Sequence, residues 1–356
     1  MSMEDGSIDF RSDTVTKPTP LMRKAMYEAE VGDDFYRDDP TINRLQEKAA
    51  GMLGMEAALF VTSGTMANMI SIFTQTHRGE EIIIESSAHV WRCEAGHLSA
   101  ISGLMCQRVQ GEMGVVDPVD VESAIRGREI YEPRTSLVSL ETPNNGAGGI
   151  ILPPENIAAI AQIAKKHGLA FHIDGARIFN ATVALKIDPV SYIKGASSIM
   201  FCLSKSLCCP FGSLILGNKA FVEEARHWRI MLGGGLRQGG IMAAAGLVAL
   251  ACMIDRLEED HIHARQLAVR LQEEGLAKLE LERVQTNMFR ADFSPICSDG
   301  NDLREFLWKR NIKMSITEKG FSRLVTHYWI SSEDIDTTIA ALHDYECRNK
   351  QRAAGS

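Results

Sequence analysis

Short apolar runs alternate with longer segments of helical period through the first two-thirds of the chain. Residues 57–62, 81–85, 136–141, 170–174, 198–203 and 213–216 are compact apolar stretches that predict strands. Residues 65–76, 154–167 and 219–231 repeat apolar positions three and four apart and predict helices. This alternation predicts an α/β fold: a mostly parallel central sheet with helices on both faces. In such sheets ligands sit beyond the carboxyl ends of the strands. From about Gly240 the pattern changes. A long helix is expected to about Gly275, with the charged stretch 255–260 in its middle, then mixed short elements and a final helix near 334–348. The expected organisation is an N-terminal arm over 1–20, a large domain over 21–250 and a smaller C-terminal α/β domain over 251–356.

Composition narrows the class without naming a chemistry. Of 356 residues, 45% are hydrophobic and 24% charged, as in ordinary globular enzymes. The net charge of −8, without a basic run, argues against a nucleic-acid or anionic-membrane partner. The eight cysteines show neither zinc spacing nor a disulfide framework, which leaves reduced thiols as the expectation and no metal site. The opening residues 1–7 are acidic and polar, unlike a secretory signal, so a cytoplasmic protein is expected. The longest apolar run, 241–254, is too short to cross a bilayer and predicts a buried core helix.

Two residues at predicted strand ends carry the chemistry. Asp174 closes one strand in His172-Ile-Asp-Gly-Ala-Arg177, and Lys205 follows another, 31 positions later. A lysine amine can form a Schiff base with the aldehyde of pyridoxal 5′-phosphate. A carboxylate behind the pyridine nitrogen keeps that ring protonated and electron-accepting. Thr62-Ser-Gly-Thr65 lies between a predicted strand and helix, so Ser63, Gly64 and Thr65 offer a helix N-terminus to a phosphate; a simple helix cap is the plainer alternative. Arg237, inside the glycine-dense 233–240, could add a charge-assisted phosphate contact. Arg177 and Arg323 are candidate forks for a substrate carboxylate, set against ordinary surface ion pairs. His89 follows a predicted strand, where its imidazole could stack on the cofactor ring and act as a base, or simply be structural. The pair His261 and His263 reads as solvated.

Several blocks then carry a resemblance. Asp9-Phe-Arg-Ser-Asp-Thr-Val-Thr-Lys-Pro18, Val31-Gly-Asp-Asp34, Asp39-Pro-Thr-Ile-Asn43, His172 to Asn180, Leu203-Ser-Lys-Ser206, 233–238 and Arg323-Leu-Val-Thr-His327 together resemble the L-threonine aldolase family. The resemblance implies a fold-type-I pyridoxal-phosphate enzyme with the cofactor on Lys205 and Asp174 behind its ring. It implies a ring-stacking His89, a carboxylate clamp of Ser12, Arg177 and Arg323, and a phosphate grip of Gly64 and Thr65. It also implies a homotetramer or dimer with shared active sites, Arg237 reaching a neighbouring chain, and an N-terminal arm that contributes to the site.

Two positions depart from the family pattern. Tyr131 stands where members carry a second active-site histidine, and Thr142-Pro143-Asn144 replaces the usual strand end. Three readings follow. Retro-aldol cleavage of L-threonine or L-allo-threonine to glycine and acetaldehyde follows from the family. Racemisation of a small amino acid such as alanine would use Lys205 on one face and Tyr131 as the second base. A non-catalytic cofactor-binding protein is the third, against which stand the retained lysine, aspartate and arginines.

Overall fold

The structure is a computed structural model that describes residues 6–127 and 129–354. The first five residues of the expected arm lie outside the described residues. The chain forms two compact units, Lys17–Ile254 and Met1–Thr16 with Asp255–Ser356. The strands are β1 (Ile8–Asp9), β2 (Ala57–Val61), β3 (Glu81–Glu85), β4 (Met105–Val109), β5 (Thr135–Glu141), β6 (Ala170–Asp174), β7 (Ser198–Cys202), β8 (Ser213–Gly217), β9 (Met288–Asp292), β10 (Ile312–Lys313) and β11 (Phe321–Val325).

The larger unit holds a seven-stranded sheet in the order β2-β8-β7-β6-β5-β3-β4. Its parallel strands are covered on both faces, which is why they read as continuous apolar runs rather than alternations; β3 is three isoleucines between two buried glutamates. β8 alone runs antiparallel, because a short loop returns the chain directly from β7. The carboxyl ends of β2, β3, β5, β6 and β7 therefore open on one edge. The strand β4 has no counterpart among the expected elements. As an edge strand it needs less burial, and Met-Cys-Gln-Arg-Val shows neither a run nor a clean alternation.

The expected helix from 240 to 275 is two helices, Gly240–Cys252 and Leu257–Glu273. Glu258, Glu259 and Asp260 are the reason: three acids in one turn favour the positive start of a new helix over the middle of an old one. The histidine pair expected to be solvated is turned the other way. His261 and His263 are partly buried while Ile262 between them is exposed, and burial pushes His261 down to about 4. No single helix among the described residues is long and apolar enough to cross a membrane.

In the smaller unit, β1 pairs in parallel with β10 and β9 pairs antiparallel with β11. The Phe10 N–H donates to the Lys313 carbonyl at 2.9 Å, and the Phe10 carbonyl accepts from Val325 at 3.0 Å. Phe10, Phe289, Phe293, Leu324 and Leu342 share the apolar core of this unit.

Asp39 holds three segments of the larger unit together. Its fully buried carboxylate accepts the backbone N–H groups of Thr41 (3.1 Å), Ile42 (2.9 Å), Gly32 (3.3 Å) and Gly240 (2.8 Å). A Cβ at Gly240 would sit 2.5 Å from this carboxylate, so the approach requires glycine. Replacing Asp39 by alanine removes a helix cap and orphans buried donors. The expected loss is about 3 kcal/mol in chemical denaturation, and an unmoved midpoint would show that these bonds carry no net stability.

Candidate active site

Five loops meet at the carboxyl edge of the central sheet. Asp174 is the last residue of β6 and Glu141 the last of β5, paired in register on neighbouring strands. Lys205 lies three residues past the end of β7, half-buried, in a turn closed by the Cys208 N–H on the Lys205 carbonyl at 2.9 Å. His89 opens the short helix His89–Arg92 after β3. Ser63 caps the helix Gly64–Phe73 after β2, its hydroxyl accepting from the Met66 N–H at 3.2 Å.

A buried polar network joins these positions. Asp174 accepts the Ala176 N–H at 3.1 Å on one oxygen and the Asn68 Nδ2 at 2.8 Å on the other. The same Asn68 nitrogen donates to Glu94 Oε1 at 2.9 Å. Glu94 also meets His89 Nδ1 at 2.8 Å and His97 Nε2 at 3.0 Å. An ionised carboxylate only accepts, so His89 carries a proton on Nδ1, and in its neutral form Nε2 is the basic nitrogen. Behind this row, His172 Nε2 lies 3.1 Å from Asn68 Oδ1 and His172 Nδ1 lies 2.9 Å from Ser198 Oγ.

The charges follow from these contacts. The bond to Glu94 raises the His89 pKa against the opposing effect of burial, with Asp174, Glu94 and Glu141 adding attraction. Burial works to raise Glu94, but its bonds with His89, His97 and Asn68 outweigh it and hold the acid below its ordinary value. Glu141 is pushed up to about 7 by burial and then by the neighbouring Asp174 charge. Its two oxygens accept the His89 N–H at 2.7 Å and the Asn145 N–H at 2.8 Å, which ties two of the loops together. Burial drives His172 down to about 4, so it is neutral.

The other sequence-predicted residues divide. Arg177 is buried beside the same edge, its Nη1 3.5 Å from Asn145 Oδ1. Arg237 pairs with Asp33 at 3.2 Å, with its side chain 64% exposed. Ser12 and Arg323 belong to the smaller unit, where Arg323 Nη2 donates to the carbonyl of Arg11, next to Ser12, at 3.1 Å. Tyr131 requires a correction. It is 81% exposed in the turn before β5, at the end of that strand opposite Glu141. Seven extended residues span about 20 Å, so its phenol is not at the edge where Asp174 and Lys205 lie. The racemase alternative rests on that phenol and loses its second base.

The arrangement fits pyridoxal phosphate by its donor set. It offers an amine on Lys205, an anion on Asp174, a planar imidazole on His89 and a helix start at Gly64 and Thr65. A Cβ at Gly64 would come within 2.8 Å of Cys202 Sγ, so only glycine lets this helix start seat directly on β7. Asn68, Glu94, His97, Glu141 and His172 join the site without having been sequence candidates. Glu141 has a cue in its place at a predicted strand end; Asn68 and Glu94 lie within or between helices and carry no comparable signal.

Comparison with known proteins agrees with this geometry. The family model described as beta-eliminating lyase matches residues 9–294. Low-specificity L-threonine aldolase 1 of Arabidopsis thaliana is 41% identical over 346 residues, covering 94% of this chain and 95% of that protein. The low specificity L-threonine aldolase of Escherichia coli K12 is 40% identical over 334 residues, covering 94% and 97%. A solved threonine aldolase of Leishmania major has the same fold, with a TM-score of 0.79 at 18% identity over 95% of this chain and 99% of that one. The match over residues 9–294 and identities of about 40% along nearly the whole chain place it in the beta-eliminating lyase family of pyridoxal-phosphate enzymes, alongside the low-specificity L-threonine aldolases.

Proposed function

We propose that this chain cleaves L-threonine and L-allo-threonine to glycine and acetaldehyde, with pyridoxal 5′-phosphate held on Lys205. The observation that carries the reading is the His89–Glu94 pair at the edge shared by Asp174 and Lys205. It fixes a proton on Nδ1 and leaves Nε2 to receive the substrate's β-hydroxyl proton. When bound, the cofactor supplies a sink for the electron pair left at Cα as the bond to Cβ breaks. Asp174 holds positive charge at the ring nitrogen. Ser63, Gly64 and Thr65 receive the phosphate at the helix start, where the backbone N–H groups and the helix dipole favour an anion. Arg177 offers a buried guanidinium to the substrate carboxylate, and the resemblance gives Ser12 and Arg323 the same task. Within the same proposal Arg237 serves the phosphate site of a neighbouring copy in a dimer or tetramer, in the cytoplasm.

Three outcomes test it. Borohydride reduction of the cofactor-loaded protein is expected to fix the cofactor to Lys205, read by peptide mass mapping, and Lys205→Ala is expected to stay colourless. In heavy water, L-threonine and L-allo-threonine should yield acetaldehyde and glycine. Alanine should keep its optical activity; racemised, deuterated alanine would overturn the aldolase reading. The third concerns pH. A base must be deprotonated to act, and Glu94 raises the pKa of His89, so the acid limb of kcat/KM should lie above the ordinary histidine value. Glu94→Gln removes the anion, and the limb should move to lower pH by about 1 unit or more. A limb that stays in place would remove His89 as the base.

A further inference from the structure

We propose that Asn68 is a positioning residue of this site: its single amide nitrogen keeps the Asp174 and Glu94 carboxylates as two separate anions. The reactive atoms of His89, Glu94 and Asp174 lie within 4.8 Å of one another. Two carboxylates this close and this buried repel, which favours protonating one of them. The Asn68 amide prevents this by donating one N–H to each, at 2.8 Å and 2.9 Å.

The amide cannot turn over. Its Oδ1 is 3.1 Å from His172 Nε2, and a flipped amide would aim that carbonyl at both carboxylates. His172 is itself held with its proton on Nε2. Its Nδ1 accepts a hydrogen bond from the Ser198 hydroxyl at 2.9 Å, and Ser198 Oγ accepts from Gln75 Nε2 at 2.7 Å. Asn68 and His172 are both buried, so no water competes for these bonds. A chain of neutral groups on three elements thus ends in one doubly donating nitrogen between two acids. Asp174 then keeps its full charge behind the ring nitrogen, and Glu94 keeps its charge beside His89.

The consequence for catalysis rests on the reading of Asp174 as the cofactor's partner. The first test is therefore made on protein without cofactor, so that the two readings fail separately. Carboxyl carbon NMR is followed against pH, with the Glu94 signal identified by its loss in Glu94→Gln. The groups facing the pair are His89 and His97 on Glu94, and His172 and Glu141 beside Asp174. In Asn68→Leu the protonation midpoint of the pair is expected to rise by about 1 unit or more, with a smaller rise in Asn68→Ser, which retains a donor. Should the leucine variant not fold, the serine variant decides.

An unmoved midpoint in a folded variant would overturn the proposal. In the loaded enzyme, Asn68→Leu should lower kcat by about 10- to 100-fold with little change in KM. A loss confined to KM would also overturn it. A raised midpoint in a protein whose wild type cleaves no threonine would retire the aldolase reading and leave the hold of Asn68 on the carboxylates standing.

Discussion

The site depends on keeping negative charge in a place that resists it. Asp174 and Glu94 present oxygens within 4.8 Å of each other, both at most 3% exposed. At an effective dielectric of about 20, two unit charges at that separation repel by about 3 kcal/mol, before any cost of burial. Attraction and hydrogen bonding must offset this locally. The Ala176 N–H serves Asp174, His89 and His97 serve Glu94, and Asn68 serves both. The sheet makes such a network feasible because β6 delivers Asp174 and β3 leads into His89 on one edge, while the helix after β2 carries Asn68 alongside.

The parts of this site with a local signature are legible in the sequence. A strand ends where an apolar run stops, so the pattern of residues alone puts Asp174, Lys205 and the Ser63-Gly64-Thr65 turn at the ligand edge. Asn68 and Glu94 have no such signature. Their meaning lies in bonds to residues 106 and 26 positions apart, which no periodicity encodes. Tyr131 misleads for a related reason. Its interval ahead of Glu141 suggests nearness to the site, but that interval contains all of β5, which carries the chain across the sheet to the opposite edge. The stretch 240–275 misleads because apolar period alone hides a new N-terminus, which the acids at 258–260 mark by charge.

The blocks that carry the resemblance also sort by what they do. His172 to Arg177 and Leu203 to Ser206 lie at the carboxyl edge of the central sheet. Val31 to Asp34 and Asp39 to Asn43 are scaffold: Asp34 is buried in an ion pair with Arg229, and Asp39 gathers four backbone donors. Removing one partner of a buried pair leaves an uncompensated charge, so the acid of the Asp34–Arg229 pair serves the fold. Motif length is thus a poor guide to catalytic role, and burial with named partners is a better one.

Three acids surround His89, and each has different partners. Glu94 is pulled below its ordinary pKa by three donors. Asp174 accepts from the Ala176 N–H and from the Asn68 amide. Glu141 accepts backbone N–H groups, and burial and then the Asp174 charge raise it to about 7. Environments that push like groups apart allow one acid to stay charged while its neighbour exchanges a proton near neutrality. Glu141 holds the His89 backbone, while Glu94 holds the His89 ring. The backbone of this histidine is thus placed by one carboxylate and its ring by another, and the charge of either one favours the protonated ring.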